Sequence, residues 1–188
     1  MAYVRLRLAS RNEHKLSELA AALAGWEIEL LGAAEFPPEE GQTYYDNARS
    51  KARFGRSLTD GWVLGEDSGI EVDALGGRPG VASARWAGES GHVAKLLDAL
   101  GGVENRRARY VCELVCLSPD GKELRARGML EGRVADEPRG SEGFGYDPIF
   151  IPDGEARTVA ELGNAWKRAN SHRARAAAAL REAVHTRC

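Results

Sequence analysis

Four carboxylates lie within eight positions of the stretch GEDSGIEVDALGG: Glu66, Asp67, Glu71 and Asp73. Because like charges repel, this stretch needs a positive partner. Two partners are possible: arginines and water around an ordinary acidic loop, or a metal ion. For Glu66 and Asp67 both partners stay open, because these residues follow the apolar run of a predicted strand and precede a glycine-containing turn, a place where ligands gather in open α/β sheets. A carboxylate there can hold Mg²⁺ and deprotonate a water molecule.

The other two carboxylates fit an ordinary surface. If Ile70, Val72 and Ala74 point into the core, Glu71 and Asp73 share the opposite face of the chain by strand alternation. Solvent or arginine partners are expected for them.

The hexapeptide SRNEHK, Ser10 to Lys15, lies at a predicted strand-to-helix junction. Such a junction presents backbone N–H groups and the positive end of the helix dipole, which suits phosphate. Ser10 and Asn12 add side-chain donors, and Lys15 adds a positive charge. The alternative is that Ser10 or Asn12 only caps the helix and that Lys15 is a solvated lysine.

The segment YYDNARSKAR places Asp46, Asn47 and Lys51 four or five residues apart on a predicted helix. An acid, an amide and a lysine at this spacing could face one cleft. From spacing alone, an exposed helix face is the favoured interpretation.

The loop GSEGFGYDP, residues 140–148, combines three glycines, two aromatic residues and Asp147. Glycine lets a backbone approach a ligand closely. Phe144 or Tyr146 offers a flat surface on which a base can stack. The composition favours a pocket over an ordinary glycine–aromatic turn.

The segment WKRANSHRAR crowds cations around Ser171, a reasonable N-cap for the last predicted helix; they are Lys167, Arg168, His172, Arg173 and Arg175. Cations near a helix N-terminus oppose its dipole at about 0.3–1 kcal/mol each. The arrangement is explained if an anion or an electron-rich acceptor binds in front of it. Pairing with the chain's own acids is the alternative.

Hydrophobic periodicity supplies the elements that must hold these residues. YVRLRLAS alternates as a strand, NEHKLSELAAAL repeats as a helix, and WEIELL is a second strand. RARYVCELVCLS and KELRARGMLEGRVA alternate as two long strands around the turn PDGK. An Ala-rich helix from about residue 170 to 184 closes the chain. This order predicts an α/β or α+β sheet protein, and the 188 residues suit a single domain, 1–188.

Composition narrows the function classes. The formal net charge of −2 gives no general attraction to nucleic acid or anionic lipid. No stretch reaches the roughly 20 apolar residues of a membrane span, and the N-terminus does not resemble a signal peptide. A cytoplasmic protein is expected, with neither a nucleic-acid nor a membrane partner.

These motifs together indicate a nucleoside triphosphate site with Mg²⁺. In order and content, DSGIEVDALGGRPGVASARWAG, GFGYDPIF and SHR closely resemble the inosine triphosphate pyrophosphatases, or XTP/dITP diphosphatases. The resemblance runs from Ser10 to Arg173 and implies hydrolysis of a non-standard purine triphosphate (ITP, dITP or XTP) to the monophosphate and pyrophosphate, which cleanses the nucleotide pool. It also implies an elongated mixed β-sheet flanked by helices, with two lobes around a central nucleotide cleft, and a homodimer.

The resemblance further implies a role for each matching residue. Asp67 is the expected base that activates water and a ligand of Mg²⁺, with Glu66 beside it as a second catalytic residue and Asp46 as a second metal ligand. Phe144 is expected to stack on the base, and Lys167, His172 and Arg173 to read the purine edge. The remaining expected substrate contacts are Ser10, Arg11, Asn12, Glu13, His14, Lys15, Lys51, Ser68, Gly145, Tyr146 and Asp147.

Three positions depart from the family pattern. Asp46 stands where glutamate is usual, Arg11 where a small residue is frequent, and Trp166 precedes Lys167. Two other functions stay open: a related pyrophosphatase that prefers modified pyrimidines, and a nucleotide-sensing module that has lost turnover through the change at Asp46.

Overall fold

The computed structural model describes residues 4–86 and 91–185. The strands are β1 (Val4–Leu8), β2 (Trp26–Leu30), β3 (Trp62–Val72), β4 (Arg107–Leu117), β5 (Glu123–Val134) and β6 (Phe150–Pro152). The helices are α1 (Glu13–Ala22), α2 (Tyr44–Arg56), α3 (His92–Ala99), α4 (Val159–Asn170) and α5 (His172–His185).

The six strands form one sheet in the order β2-β1-β3-β4-β5-β6. Strand β1 runs parallel to both β2 and β3, whereas β5 and β6 are antiparallel, so the sheet is mixed. A tight turn joins β4 to β5, with the Ser118 N–H bonded to the Lys122 carbonyl at 3.0 Å. The predicted α/β class with a mixed sheet is confirmed.

The described chain forms two compact units. The first unit comprises residues 4–67, 112–128 and 173–185, and the second comprises 68–86, 91–111 and 129–172. Each has its own apolar core. Leu6, Leu19, Leu64, Leu114 and Leu180 are among the buried residues of the first core. Ile70, Leu96, Tyr110, Ile149 and Phe150 are among those of the second. The single domain expected from length stays a prediction.

Strand β3 is longer than the sequence pattern indicated. The prediction ended the strand near Gly65 and placed Glu66 and Asp67 at a turn, but the strand continues to Val72. Ile70 and Val72 are buried as predicted, whereas Ala74 is exposed in a short 3-10 turn. Glu71 pairs with Arg109 at 2.8 Å, which confirms the arginine-paired interpretation of that carboxylate.

Helix α4 was missed in the sequence analysis. It begins with a capping box, in which Thr158 and Glu161 satisfy each other's backbone N–H groups. Lys167 and Arg168 lie in its last turn, where cations stabilise the helix dipole. Lys167 and Arg168 therefore belong to a helix of their own and are not loop residues before the closing helix. Their charges do not oppose a helix dipole, contrary to the prediction.

Two further observations concern the described residues. In the part of the chain that the structure describes, no helix combines the length and apolarity that a membrane crossing requires. Cys112 and Cys116 are both buried and unbridged.

Candidate active site

Strand β3 presents its two consecutive acidic residues, Glu66 and Asp67, to opposite sides of the sheet, because side chains alternate along a strand. Gly65 and Asp67 lie on the side of helix α2. A Cβ atom at Gly65 would lie 1.9 Å from the Ala48 carbonyl oxygen, so helix and strand touch through backbone at this point. This close approach brings Asp67 beside the polar residues of α2.

Asp67 is 3% exposed and is held by two side chains of α2. The Asn47 Nδ2 group donates to Asp67 Oδ2 at 2.9 Å, and the Lys51 Nζ group lies 3.3 Å from Oδ1. Asn47 also accepts from the Gly41 N–H at 2.8 Å, which ties the preceding loop to the same point. Asp67, Asn47 and Lys51 therefore form one buried polar group within the first unit.

Glu39, which no sequence motif marks, shares Lys51 with Asp67. The Lys51 ammonium contacts the Glu39 carboxylate and also donates to the Glu66 carbonyl oxygen at 3.0 Å. One lysine thus serves two carboxylates, Glu39 and Asp67. The negative charge of this group exceeds its positive charge.

The pKa of Asp67 reflects that excess. Burial raises it, and Glu39 and Glu66 add to the increase, while Lys51 and the hydrogen bond from Asn47 lower it. The net direction is upward from the usual aspartate value. A carboxyl group with a raised pKa is suited to accept a proton, and its ionised form favours an additional cation nearby.

Glu66 lies in a different environment, on the side of α1 and α5. Its Oε2 atom is 2.5 Å from Lys15 Nζ, and its Oε1 atom accepts from Arg173 Nε at 3.0 Å. Arg173 also lies 3.3 Å from Glu18, so two cations and two carboxylates balance in a buried cluster. The Cys112 thiol is 3.7 Å from Glu66 Oε1.

The charge balance reverses the effect of burial on Glu66. Burial by itself raises the pKa, but Lys15, Arg173 and Lys51 hold the pKa of Glu66 well below its usual range. Burial and the nearby Glu66 raise the pKa of the Cys112 thiol well above its ordinary value. Glu66 is therefore a permanently charged anchor in this cluster, unsuited to taking up a proton near neutral pH.

The strand–helix corner after β1 is organised by Asn12. Its side-chain oxygen caps α1 by accepting from the His14 N–H at 2.9 Å and the Lys15 N–H at 3.2 Å. Ser10 Oγ accepts from the Asn12 N–H at 3.1 Å. The capping interpretation of Asn12 is confirmed, and Lys15 turns inward to Glu66. Glu13, His14 and Arg11 are exposed, and Arg11 reaches the Ala34 carbonyl at 3.1 Å.

Asp46 forms a capping box at the start of α2. Its Oδ2 atom accepts from the Thr43 N–H at 3.1 Å and from the Thr43 hydroxyl at 2.7 Å. This contact gives the side chain a structural role at the helix start. Metal binding by Asp46 stays a prediction.

A second polar group lies in the second unit, around the buried carboxylate of Asp147. Lys167 Nζ donates to Asp147 Oδ2 at 2.6 Å, and the Phe144 N–H donates to the same oxygen at 2.8 Å. The Lys167 ammonium also lies 3.8 Å from the centre of the Phe144 ring. Asp147 thus fixes a cation against an aromatic face.

Tyr110 connects this group to His172. Its hydroxyl donates to Asp147 Oδ1 at 3.2 Å, and its ring stacks on the His172 ring with centres 4.7 Å apart and planes 14° apart. Tyr146 is buried, and its hydroxyl donates to the Ser83 carbonyl at 3.1 Å. Burial raises the pKa of Tyr146 to about 12, so its phenol stays neutral.

Gly145 and Ser68 are two further predicted substrate contacts. Gly145 adopts φ 64° and lines a surface groove of about 640 Å³, together with His92, Leu97 and Pro138. Ser68 is half-buried in β3, next to Asp67 in sequence.

The predicted site residues therefore form two groups. In the first unit, Lys51 joins Asp67, while Lys15 and Arg173 join Glu66. In the second unit, Phe144, Lys167 and His172 gather around Asp147 and Tyr110.

Arg173, expected beside Lys167 and His172 at the purine edge, has carboxylate partners in the first unit. No sequence motif marks Glu39, Glu18, Tyr110 or Cys112 as a site residue, and Asn47 stands out in the sequence only as a helix neighbour of Lys51.

Known proteins are similar to this chain over most of its length. The sequence pattern of the Ham1 family matches residues 6–183. A dITP/XTP pyrophosphatase of Symbiobacterium thermophilum is 46% identical over 185 residues, covering 95% of this chain and 93% of the relative. A dITP/XTP pyrophosphatase of Deinococcus radiodurans is 45% identical over 181 residues, covering 94% of this chain and 90% of the relative.

Solved structures agree with this assignment. The Ham1 protein of Staphylococcus aureus has a TM-score of 0.86 at 32% identity, covering 98% of this chain and 100% of that one. The HAM1 protein of Coxiella burnetii has a TM-score of 0.85 at 36% identity, with the same coverage. The resemblance read from the motifs is confirmed, and the chain belongs to the Ham1 family.

Proposed function

We propose that this protein hydrolyses non-standard purine nucleoside triphosphates, ITP, dITP and XTP, to the monophosphate and pyrophosphate. Relatives that are dITP/XTP pyrophosphatases cover nearly all of the chain at 45–46% identity. The observation that carries the proposal is the buried carboxylate of Asp67, whose pKa is raised although a lysine lies beside it. Removal of such triphosphates would cleanse the nucleotide pool.

The carboxylates of the first unit fit a hard divalent cation. Glu39 and Asp67 both contact Lys51, and oxygen ligands are those that Mg²⁺ prefers. Among residues 4–86 and 91–185, no three His, Cys, Asp or Glu side chains are grouped to enclose a metal. Mg²⁺ is commonly held by one or two carboxylates plus substrate phosphates and water. We therefore propose Asp67 and Glu39 as the protein ligands in place of Asp46, whose carboxylate is engaged by Thr43. When bound, Mg²⁺ would supply positive charge to the phosphate oxygens.

Asp67 is the general base of the proposed reaction. It accepts a proton from water, the water oxygen bonds to phosphorus, the α–β phosphoanhydride bond breaks, and pyrophosphate leaves. In the metal-free protein the raised pKa makes Asp67 a stronger proton acceptor than an ordinary aspartate. Asn47 and Lys51 orient this carboxylate through Oδ2 and Oδ1.

The cations of the first unit hold the triphosphate. Lys51 and Lys15 supply positive charge, and Ser10 and Asn12 supply donors at the strand–helix corner. Hydrolysis of a highly charged triphosphate is limited by charge repulsion, so fixed positive groups stabilise the transition state. Glu66 serves this function indirectly, because it fixes the ammonium group of Lys15 at 2.5 Å.

Residues of the second unit recognise the base. Phe144 provides the stacking surface, and Lys167 and His172 provide donors. Inosine and xanthine carry a 6-oxo acceptor, whereas adenine carries a 6-amino donor that leaves a facing donor unsatisfied. Such a mismatch costs about 1–3 kcal/mol, so each contact disfavours ATP roughly 10- to 100-fold. Reading of the purine edge by Arg173 stays a prediction.

Three wider expectations complete the proposal. The metal in the cell is Mg²⁺, the active form is a homodimer, and the protein acts in the cytoplasm. Mg²⁺ follows from the oxygen-only ligand set, and the homodimer follows from the family resemblance. A nucleic-acid or membrane partner is not expected.

Pyrophosphate release from ITP, ATP and dTTP, with and without Mg²⁺, tests the function. We expect release from ITP that requires Mg²⁺ and exceeds release from ATP and dTTP. Faster release from dTTP would instead indicate a pyrimidine enzyme. Tight ITP binding without release from any triphosphate would indicate a sensor.

A further inference from the structure

Helix α4 is divided by a break that determines where Lys167 lies. Gly163 has φ 87° and ψ 170°, far from helical values and in a region that favours glycine. The residues after it form a half-helix, 164–170, that carries Lys167. Its first N–H groups no longer face carbonyl groups of a preceding helical turn, so they need other acceptors.

Glu142 provides one of these acceptors. Its Oε2 atom accepts from the Asn164 N–H at 2.7 Å. A Cβ atom at Gly163 would lie 3.2–3.4 Å from the Glu142 carboxylate atoms, so this carboxylate lies directly against the break. A negative charge at a helix start also interacts favourably with the helix dipole.

The loop that carries Glu142 is fastened to the other half of α4 as well. A Cβ atom at Gly140 would lie 2.5 Å from backbone atoms of Ala160 and Glu161, so the two backbones are in direct contact. The Thr158 hydroxyl donates to the Arg139 carbonyl at 2.7 Å. The loop thus contacts α4 on both sides of the break.

The half-helix has a second attachment through Trp166, one of the three residues that depart from the family pattern. Its Nε1 group donates to Glu155 Oε1 at 3.2 Å, and its ring packs against the core of the second unit. With Trp166 holding the middle of the half-helix and Glu142 its start, the position of the Lys167 side chain over Phe144 is defined.

We propose that Glu142 is a positioning residue that sets Lys167 over Phe144 and so strengthens binding of the purine base without touching the substrate. This inference rests on the proposed function for its catalytic consequence. Its structural part concerns the ligand-free protein alone and is measured without substrate.

The structural part is tested by NMR of protein labelled with ¹³C at the lysine ε-carbons. The chain has five lysines, and the Lys167 signal is the one missing from Lys167→Met. Because the Lys167 ammonium lies over the Phe144 ring, ring currents should shift its ε-protons upfield. In Glu142→Ala we expect much of that shift to disappear, whereas Glu142→Gln, which keeps an acceptor oxygen, should retain most of it. An unchanged Lys167 shift in Glu142→Ala overturns the inference.

The catalytic part is tested by steady-state kinetics with ITP. Glu142→Ala should raise KM about five-fold, the factor that corresponds to loss of one helix cap. Its kcat should stay within about two-fold, because only binding of the base is weakened. The control is Glu137→Ala, an exposed glutamate of the same loop, which should match the wild type. A fall in kcat with constant KM contradicts positioning of the base.

If the wild type hydrolyses no purine triphosphate, the proposed function fails, and the NMR comparison still decides the role of Glu142.

Discussion

Glu66 and Asp67 are neighbours in sequence, equally buried, and electrostatically opposite. Glu66 faces two cations, Lys15 and Arg173, and its pKa lies well below the usual range. Asp67 shares Lys51 with Glu39, and its pKa is raised. One step along a strand therefore separates a carboxylate whose charge is balanced from one whose charge is not.

The difference shows how a fold assigns distinct roles to identical functional groups. Balanced charge makes Glu66 a stabilising anchor for Lys15, whereas unbalanced charge makes Asp67 receptive to a proton or a metal ion. Burial is nearly the same for both side chains, so the number of nearby cations decides the outcome.

The largest effect is expected for Asp67→Asn. Loss of the general base should lower kcat for ITP about a thousand-fold, within the range that such catalysis contributes. The free energy of unfolding should stay the same or rise at neutral pH, because a buried carboxylate with a raised pKa is disfavoured when ionised. Pyrophosphate release and denaturant unfolding of the same sample measure both quantities. Normal turnover would remove Asp67 as the base.

For Glu66→Gln we expect a loss of stability instead. Removing the carboxylate leaves Glu18 as the remaining carboxylate of this cluster beside Lys15 and Arg173, which should lower the free energy of unfolding by about 3 kcal/mol. Because the pKa of Glu66 is lowered, its contribution is complete above the unfolded value of about 4.3 and is lost as the pH falls through the folded value. The deficit should therefore be full at neutral pH and shrink in acid. Stability equal to that of the wild type at pH 7 would contradict the anchor role.

Two candidate metal ligands lie outside β3, Glu39 and Asp46, and a smaller effect is expected to distinguish them. Glu39→Gln should raise the Mg²⁺ concentration needed for half-maximal activity about 10- to 100-fold, as expected for loss of a ligand or a close supporting group. Asp46→Asn should leave that concentration unchanged and weaken only the start of α2. Mg²⁺ titration of ITP hydrolysis distinguishes the two. If Asp46→Asn raised this Mg²⁺ concentration and Glu39→Gln did not, Asp46 and not Glu39 would be the metal ligand.

The smallest effect concerns the second unit. Lys167→Met should reduce the preference for ITP over ATP about ten-fold, through loss of one donor to the 6-oxo group. The matched control is Lys122→Met, whose side chain is 73% exposed and which should keep the wild-type ratio. The ratio of kcat/KM for the two substrates is the measurement. An unchanged ratio in Lys167→Met would exclude that side chain from reading of the base.

Much of the architecture follows from local pattern. The alternation around Leu6 and Leu8 and the helical repeat around Leu19 predicted β1 and α1, since burial of one face imposes these periods. Helix α4 was missed because Gly163 interrupts its period. The signature of Thr158 followed by Glu161 was nevertheless present and marks a helix start.

The site was less predictable than the fold. Asp67 and Lys51 were selected from their motifs, but Glu39 lies in a proline-rich loop that has no period. Only the folded chain brings it to Lys51. The opposite directions of Glu66 and Asp67 were hidden by the glycine and serine that follow them, which suggested a turn. Once the segment is known to be a strand, alternation places the two carboxylates on opposite sides.

The central claim is that Asp67 carries unbalanced charge that a divalent cation satisfies. A ¹³C NMR titration of its carboxyl carbon, compared with Asp67→Asn for assignment and repeated with Mg²⁺, measures this directly. The prediction is an apparent pKa above the ordinary aspartate value of about 3.9 without metal, and a clear decrease when Mg²⁺ is added. A pKa below that value, or one that Mg²⁺ does not change, would contradict the claim.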